Sequence, residues 1–318
     1  MNIKTILVFN QKGGVGKTTS VVNLAVALAY LDKKVLVIDM DPQANATTGL
    51  GIDKNKADTS IYDLFYILAE EEERKKAEEE ASNIEETSGN KPEESNEGKS
   101  EESLDNSGKR YIDLTEDGEK NSTPPSGDDI FSGFDQYIIK TESGVDLIPS
   151  ESSLSGLEVE LVDLDPLERT QKLKEIIGQI KKDYDFILID CPPSLGLLSI
   201  NSLVASNSII IPIQTEYYAL EGVSELMNTF ELVKGSLNKD LYVEGVLLSM
   251  FDKRTKLSFE VVEEVKKFFK DKVFRTMIPR NVRLAEAPSH GKSGIEYDAK
   301  SQGAMAYISL ATELIKNI

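Results

Sequence analysis

Thiol and imidazole groups are almost absent from this chain of 318 residues, which holds one cysteine, Cys191, and one histidine, His290. A single cysteine excludes an internal disulfide framework and a cysteine-ligated cluster supplied by one chain. A single histidine gives no basis for a histidine zinc cluster or a Ser/His/Asp triad. His290 is therefore read as a loop residue. Cys191, with no adjacent cation or second cysteine, is read as a packed strand-end residue. No apolar run reaches the roughly 18 residues that a membrane-spanning helix requires. The opening Met-Asn-Ile-Lys passes straight into a strand pattern, without the features of a secretory leader. The expectation is a cytoplasmic protein without a membrane partner.

Positive charge is also scarce. There are 36 Lys and Arg against 55 Asp and Glu, a formal net charge of −19. Taken as a total, this argues against binding nucleic acid. The charge is unevenly placed, however. Residues 70–129 carry 21 acidic and 8 basic groups, leaving only −6 for the rest of the chain. Residues 251–300 carry 12 basic and 8 acidic groups, a local balance of +4. Local charge rather than the total governs which partners approach a surface.

With 40% hydrophobic residues the chain can build one large α/β domain or two small ones. We expect a single domain over 1–318, interrupted by an acidic insertion at about 70–132. The insertion begins Glu-Glu-Glu-Glu-Arg-Lys-Lys and passes into Ser/Gly/Asn/Pro/Glu-rich sequence. Its apolar content is too low to offset the entropy of ordering, so disorder is expected. Its first part offers an extension of a helix starting near Ile61, which Thr59 or Ser60 would cap.

Elsewhere strand and helix patterns alternate. Val/Ile-rich runs at Ile3–Phe9, Val35–Asp39, Phe186–Asp190, Ser208–Ile213 and Val243–Met250 read as buried parallel strands, with a shorter sixth at Val273–Ile278. Helical patterns fall at Thr18–Leu31, Pro166–Lys182 (capped by Asp165), Gly196–Ala205, Ala219–Leu237, Ser258–Lys272 and Gly303–Ile318. Tyr137–Lys140 and Val145–Ile148 read as a small edge hairpin. The whole is a doubly wound α/β sheet, with ligands expected at the carboxyl ends of the strands.

The densest signal is Lys12-Gly13-Gly14-Val15-Gly16-Lys17-Thr18-Thr19, between the first strand and the first helix. Amides of a glycine turn and the positive end of a helix dipole make a phosphate cradle. Lys17 is spaced to reach the β- and γ-phosphates of a nucleoside triphosphate, and the Thr18 hydroxyl to ligate Mg²⁺. The standard loop would have glycine where this chain has Gln11, and the chain adds a second early cation, Lys12. That extra charge suggests further neutralisation, across a subunit boundary.

Carboxylates follow two strands. Asp39-Met40-Asp41-Pro42-Gln43 places one that can orient an attacking water. Phe186-Ile187-Leu188-Ile189-Asp190 has the form of a Walker B strand, with Asp190 holding Mg²⁺ through water.

Four ordered stretches carry a family resemblance. They are Gln11 to Thr19, Asp39 to Thr47, Ile189 to Ser194 and Ile278 to Ser289. Together they closely resemble the ParA/Soj chromosome-partitioning ATPases over the chain outside about 70–132. The resemblance implies a mostly parallel sheet of P-loop NTPase type with helices on both faces. It implies ATP and Mg²⁺ as cofactors, and an ATP-dependent sandwich homodimer in which Lys12 crosses to the partner subunit's nucleotide. Gly13, Gly14, Val15, Gly16, Lys17, Thr18 and Thr19 then surround the phosphates. Asp41 matches the acid needed for hydrolysis. Pro279 and Asn281 match positions that hold adenine. Arg254 and Arg283 match basic residues that bind double-stranded DNA non-specifically. A ParB/Spo0J-like centromere-binding protein is the implied partner, stimulating hydrolysis through a short basic segment, with the ATP form on the nucleoid. The acidic insertion departs from the short family pattern.

Relatives are less compatible. The MinD type anchors through a basic amphipathic C-terminal helix, whereas this chain ends Ala-Tyr-Ile-Ser-Leu-Ala-Thr-Glu-Leu-Ile-Lys-Asn-Ile. That helix is expected to pack. A nitrogenase iron protein needs spaced cysteines, and a bacterial tyrosine kinase a Tyr-rich tail.

Overall fold

The computed structural model describes residues 3–88, 134–180, 182–217, 219–220 and 222–317. The chain divides into two units, 1–69 with 133–318, and 70–132. The larger unit holds a sheet of seven strands: β1 (Lys4–Val8), β2 (Val35–Asp39), β3 (Ile139–Lys140), β4 (Asp146–Ile148), β5 (Phe186–Asp190), β6 (Ser208–Gln214) and β7 (Tyr242–Ser249). Their order is β3-β4-β2-β5-β1-β6-β7. Only the β3–β4 pair is antiparallel; the other neighbours run parallel.

The helices are α1 (Lys17–Tyr30), α2 (Asn45–Gly49), α3 (Ile61–Ser88), α4 (Leu154–Val162), α5 (Lys172–Gln179), α6 (Leu197–Ala205), α7 (Val223–Ser236), α8 (Lys256–Phe269), α9 (Val282–Glu286), α10 (Gly294–Tyr297) and α11 (Gln302–Lys316). Strand alternation sends side chains to two cores. Ile6, Val8, Val35, Val37 and Leu188 pack with α1 and α11 on one face. Leu7, Leu36, Ile38, Ile187 and Ile189 pack with α3 to α8 on the other. Burial on both sides explains why these strands read as unbroken apolar runs rather than alternating ones.

The C-terminal helix packs as expected. Ala304, Tyr307, Leu310, Ala311 and Leu314 of α11 are buried, and the Tyr307 hydroxyl pairs with Ser20 of α1 at 3.1 Å. No helix among the described residues is long and apolar enough to cross a membrane.

Two readings of the pattern need correction. Val273–Ile278 is not a strand; it meets β7 at the isolated Val246–Val273 bridge and through the Phe274 and Ile278 amides, which donate to the Val246 and Leu248 carbonyls at 3.0 and 2.9 Å, without a continuous ladder. The amides of Arg275 and Thr276 donate to the Glu313 carboxylate of α11 instead, at 2.7 and 3.0 Å. The helix expected over Pro166–Lys182 is interrupted: a 3₁₀ turn, Glu168–Thr170, precedes α5, and Ile180 is already extended. Asp165 does accept an amide bond, from Leu167 at 2.9 Å, but that bond lies ahead of the turn and does not cap α5.

At α3, Ser60 is the capping residue. Its hydroxyl accepts from the Tyr62 amide at 3.1 Å, while Asp63 accepts from the Ser60 amide at 2.6 Å. This reciprocal pattern satisfies two amides the helix leaves open. The helix extends to Ser88, as the reading of the insertion's first part as a helix extension allows. The disorder expected for the rest of the insertion, from 89 to 132, lies outside the described residues.

Candidate functional site

The carboxyl ends of β1, β2 and β5 meet beside the N-terminus of α1. The phosphate loop leaves β1 at Val8 and enters α1 through Gly16, whose φ is 91°. Gly14 has φ 75°. These left-handed conformations favour glycine, which has no Cβ to clash. A Cβ built on Gly13, Gly14 or Gly16 would meet nothing within 4 Å, so the space beside these glycines is open. Because the N-cap is glycine, no side chain caps the first amides of α1. Those amides and the positive dipole end remain available to an anion.

Lys17 is buried, and its Nζ donates to the Lys12 carbonyl at 3.3 Å, across the loop. Lys12 is exposed; its amide donates to Asn10 Oδ1 at 2.9 Å. Gln11, in the place of the standard glycine, donates from Nε2 to Thr229 of α7 at 3.1 Å. The loop is braced from behind by Ser249 at the end of β7, whose hydroxyl donates to the Val15 carbonyl at 2.8 Å.

Three carboxylates gather at the strand ends. Asp39 and Asp190 are paired across β2 and β5 and are fully buried. Asp39 Oδ2 accepts from the amide and hydroxyl of Thr47, both at 2.8 Å, and Oδ1 from the Asp41 amide at 3.1 Å. Burial pushes the Asp39 carboxyl up to about 6, despite the Thr47 bonds. Asp190 is different: neither carboxylate oxygen has a hydrogen-bond partner among the described residues. Its burial, then the Asp39 charge, push it well above the usual carboxylate range, with the Thr18 hydroxyl, close by but outside hydrogen-bond geometry, and the Lys17 charge pulling the other way. Asp41 is buried and caps its own turn, accepting from the Gln43 amide at 3.0 Å.

An unpartnered buried carboxylate is costly unless something binds it. Next to a threonine hydroxyl and an open anion cradle, it fits a hard divalent cation with oxygen ligands. No group of three or more His, Cys, Asp or Glu among the described residues is arranged to hold a metal. A cation here would take its remaining ligands from water and phosphate oxygens, as Mg²⁺ does.

Beyond the loop lies a cavity of about 220 Å³. Its wall joins Gly16 and Thr19 to Ile278, Pro279, Asn281, Leu284 and Tyr307. So the two adenine candidates, distant in sequence, sit beside the phosphate loop. The Asn281 side-chain oxygen caps α9, accepting from Arg283 and Leu284 amides at 2.8 and 3.4 Å. Its NH₂ group is not consumed by those bonds.

The two arginines expected on DNA are both exposed and both paired within the chain. Arg254 Nε and Nη2 donate to the two oxygens of Asp252 at 2.9 and 2.7 Å. Arg283 donates to Glu286 at 3.0 Å, and its Nε lies 3.7 Å from Asp298. Cys191 packs at the strand end, buried, its thiol raised by burial. His290 ends a 3₁₀ turn and stacks on Tyr297 with ring centroids 5.0 Å apart.

Sequence reasoning missed Thr47, Ser249, Asn23 and Tyr307. Asn23 bridges the Thr19 carbonyl and the Gly294 amide, each at 2.8 Å. No local signal marks any of the four, because the partner of each lies far along the chain or across a tight turn.

A family model described as an AAA domain matches residues 3–91 and 131–243. Sporulation initiation inhibitor protein Soj of Bacillus subtilis is 44% identical over 314 residues, spanning 99% of each chain. Chromosome partitioning protein ParA of Myxococcus xanthus is 39% identical over 313 residues, spanning 98% of this chain and 88% of the relative. Among solved structures, cobyrinic acid a,c-diamide synthase from Mycobacterium smegmatis with bound ADP and magnesium aligns with a TM-score of 0.70 at 26% identity, covering 99% of this chain and 95% of that one. With such identity over nearly the whole of each chain, this chain belongs to the ParA/Soj family of chromosome-partitioning ATPases.

Proposed function

We propose that this chain binds ATP with Mg²⁺ and hydrolyses it to ADP and phosphate, using the cycle to position DNA. The observation that carries this reading is the unpartnered, buried Asp190 carboxylate beside an open glycine cradle. The ADP and magnesium held by the Mycobacterium smegmatis enzyme support the choice of ligand. The names of the two curated relatives support a role in chromosome partitioning.

The residues divide the work. Amides of Gly13 to Thr19 hold the phosphates, and Lys17 neutralises the β- and γ-oxygens. Thr18 and Asp190 would hold Mg²⁺, which when bound offsets the charge of the phosphate oxygens. Asp41 orients the attacking water; phosphoryl transfer asks for positioning and charge stabilisation more than covalent chemistry. Pro279 and Asn281 line the cavity that takes the adenine. Lys12, exposed on the loop, reaches the nucleotide of a second copy in a sandwich dimer. Arg254 and Arg283 exchange Asp252 and Glu286 for DNA phosphates, so binding weakens with salt. A ParB/Spo0J-like protein stimulates hydrolysis and releases the DNA.

Gel filtration of an Asp41→Ala variant tests the cycle. With ATP it should elute as a dimer and carry duplex DNA with it; with ADP it should elute as a monomer. A monomer in ATP removes the dimer from the scheme. Parental turnover by this variant removes Asp41 as the water-orienting group.

A further inference from the structure

Asp41 sits in a turn whose shape is set by other residues. We propose that Thr47 is the positioning residue for Asp41, acting through Asp39 and never touching nucleotide; the inference rests on the role given to Asp41 above. Thr47 is fully buried. Its amide and hydroxyl both donate to Asp39 Oδ2 at 2.8 Å. The other Asp39 oxygen accepts the Asp41 amide at 3.1 Å. The Thr47 hydroxyl also accepts the Ser150 amide at 3.0 Å, from the segment after β4. One side chain therefore closes the turn from residue 39 to residue 47 and anchors it to a neighbouring strand end.

The turn requires a clamp. Ala44 has φ 53°, a left-handed conformation that residues with a Cβ avoid. Such a backbone persists where surrounding bonds over-determine it. Here the Ala44 amide donates to the Asp41 carbonyl at 2.8 Å, and the Thr48 hydroxyl donates to the Ala44 carbonyl at 3.0 Å. Both bonds hold the middle of the turn. Only Thr47 ties its end to the strand that carries Asp39. The position needs a hydroxyl, since the group must donate and accept at once. Valine has the shape of threonine and does neither; serine does both.

A structural role alone would lower stability and affect substrate binding and turnover together. Positioning predicts a split. The test uses the full chain with Thr47→Val, Thr47→Ala, Thr47→Ser and Asp41→Ala. Readouts are kcat and KM for ATP with Mg²⁺, equilibrium binding of a fluorescent ATP analogue, and thermal melting. We expect Thr47→Val to bind the analogue within about twofold of the parent and to lose kcat by roughly tenfold or more, because small misplacements of a catalytic group are expensive. Thr47→Ser should restore kcat to within about twofold. Should Thr47→Val fail to fold, Thr47→Ala, which relieves any crowding, reads the same loss.

Parental kcat in either hydroxyl-free variant overturns the inference. So does a loss that follows analogue affinity and melting, or a Thr47→Ser variant as slow as Thr47→Ala. Parental turnover in Asp41→Ala is a separate outcome. It overturns the role of Asp41 itself, whatever Thr47→Val does.

Discussion

The two ends of the parallel sheet treat buried charge in opposite ways. At the amino end, Lys4 at the start of β1 meets Glu244 of β7 at 2.9 Å, and Ser208 donates to the second Glu244 oxygen at 2.9 Å. Each charge there has a counter-charge or a donor. At the carboxyl end, Asp39 and Asp190 face each other across adjacent strands, and Asp190 has no partner among the described residues. The amino end is finished by folding. The carboxyl end is completed only by something that arrives later. A chain that leaves the Asp190 carboxylate without a hydrogen-bond donor beside a glycine cradle gives up stability for binding.

That contrast can be broken experimentally, and the largest effect should come from Asp190→Asn. It removes the uncompensated charge yet keeps the shape. Turnover with Mg²⁺ should fall roughly a hundredfold or more, while the melting temperature rises by a few degrees, about 1–2 kcal/mol. A variant that melts lower than the parent would mean the carboxylate is compensated after all.

Glu244→Ala should do the reverse. It strands Lys4, whose side chain is 14% exposed, and should destabilise by about 2–3 kcal/mol. Turnover per folded molecule should be unchanged. Denaturant titration beside an activity assay checks both halves.

The next effect is a pH dependence. Asp39 is held at about 6, above its ordinary 3.8. Well below pH 3.8 both folded and unfolded forms are protonated, and this group costs nothing. As pH rises from about 4 to 6 the unfolded chain gives up its proton first, so stability falls, by about 3 kcal/mol once the folded group has ionised. Asp39→Asn should lose that decline. Urea midpoints compared at pH 4.5 and 7 should fall more steeply in the parent; equal slopes would show that Asp39 is not raised.

The smallest effect on stability belongs to the exposed Arg254–Asp252 pair. Arg254→Ala should leave folding stability almost unchanged, because exposed ion pairs contribute little. It should instead lower the salt dependence of DNA retention by about one phosphate contact. An unchanged salt slope would remove Arg254 from the DNA surface.

How far the sequence could be read follows from the reach of each interaction. The phosphate loop is a strand, a glycine turn and a helix start within residues 4–30, so local rules suffice for it. Asp190 is legible because four apolar residues lead to it on one strand. Val273–Ile278 is apolar enough for a strand, but the Glu313 carboxylate takes two of its amides, and nothing within the segment announces that. Thr47 looks like any helix residue until Asp39 and Ser150 close around it. The helix α4 lies in a Glu/Ser-rich stretch whose buried face is only Leu154, Leu157 and Leu161, too short a stripe to stand out.

By itself, then, the order of residues determined the strands, the conformation at Gly16 and the kinds of group placed near a phosphate, because each depends on neighbours a few positions away. Tertiary structure alone decided that Ser249 braces Val15, that Tyr307 meets Ser20 and that Pro279 walls the same cavity as Thr19. It also decided that neither Asp190 carboxylate oxygen finds a hydrogen-bond partner among the described residues. Burial and the loss of water are properties of the packed sheet, and no stretch of sequence carries them alone.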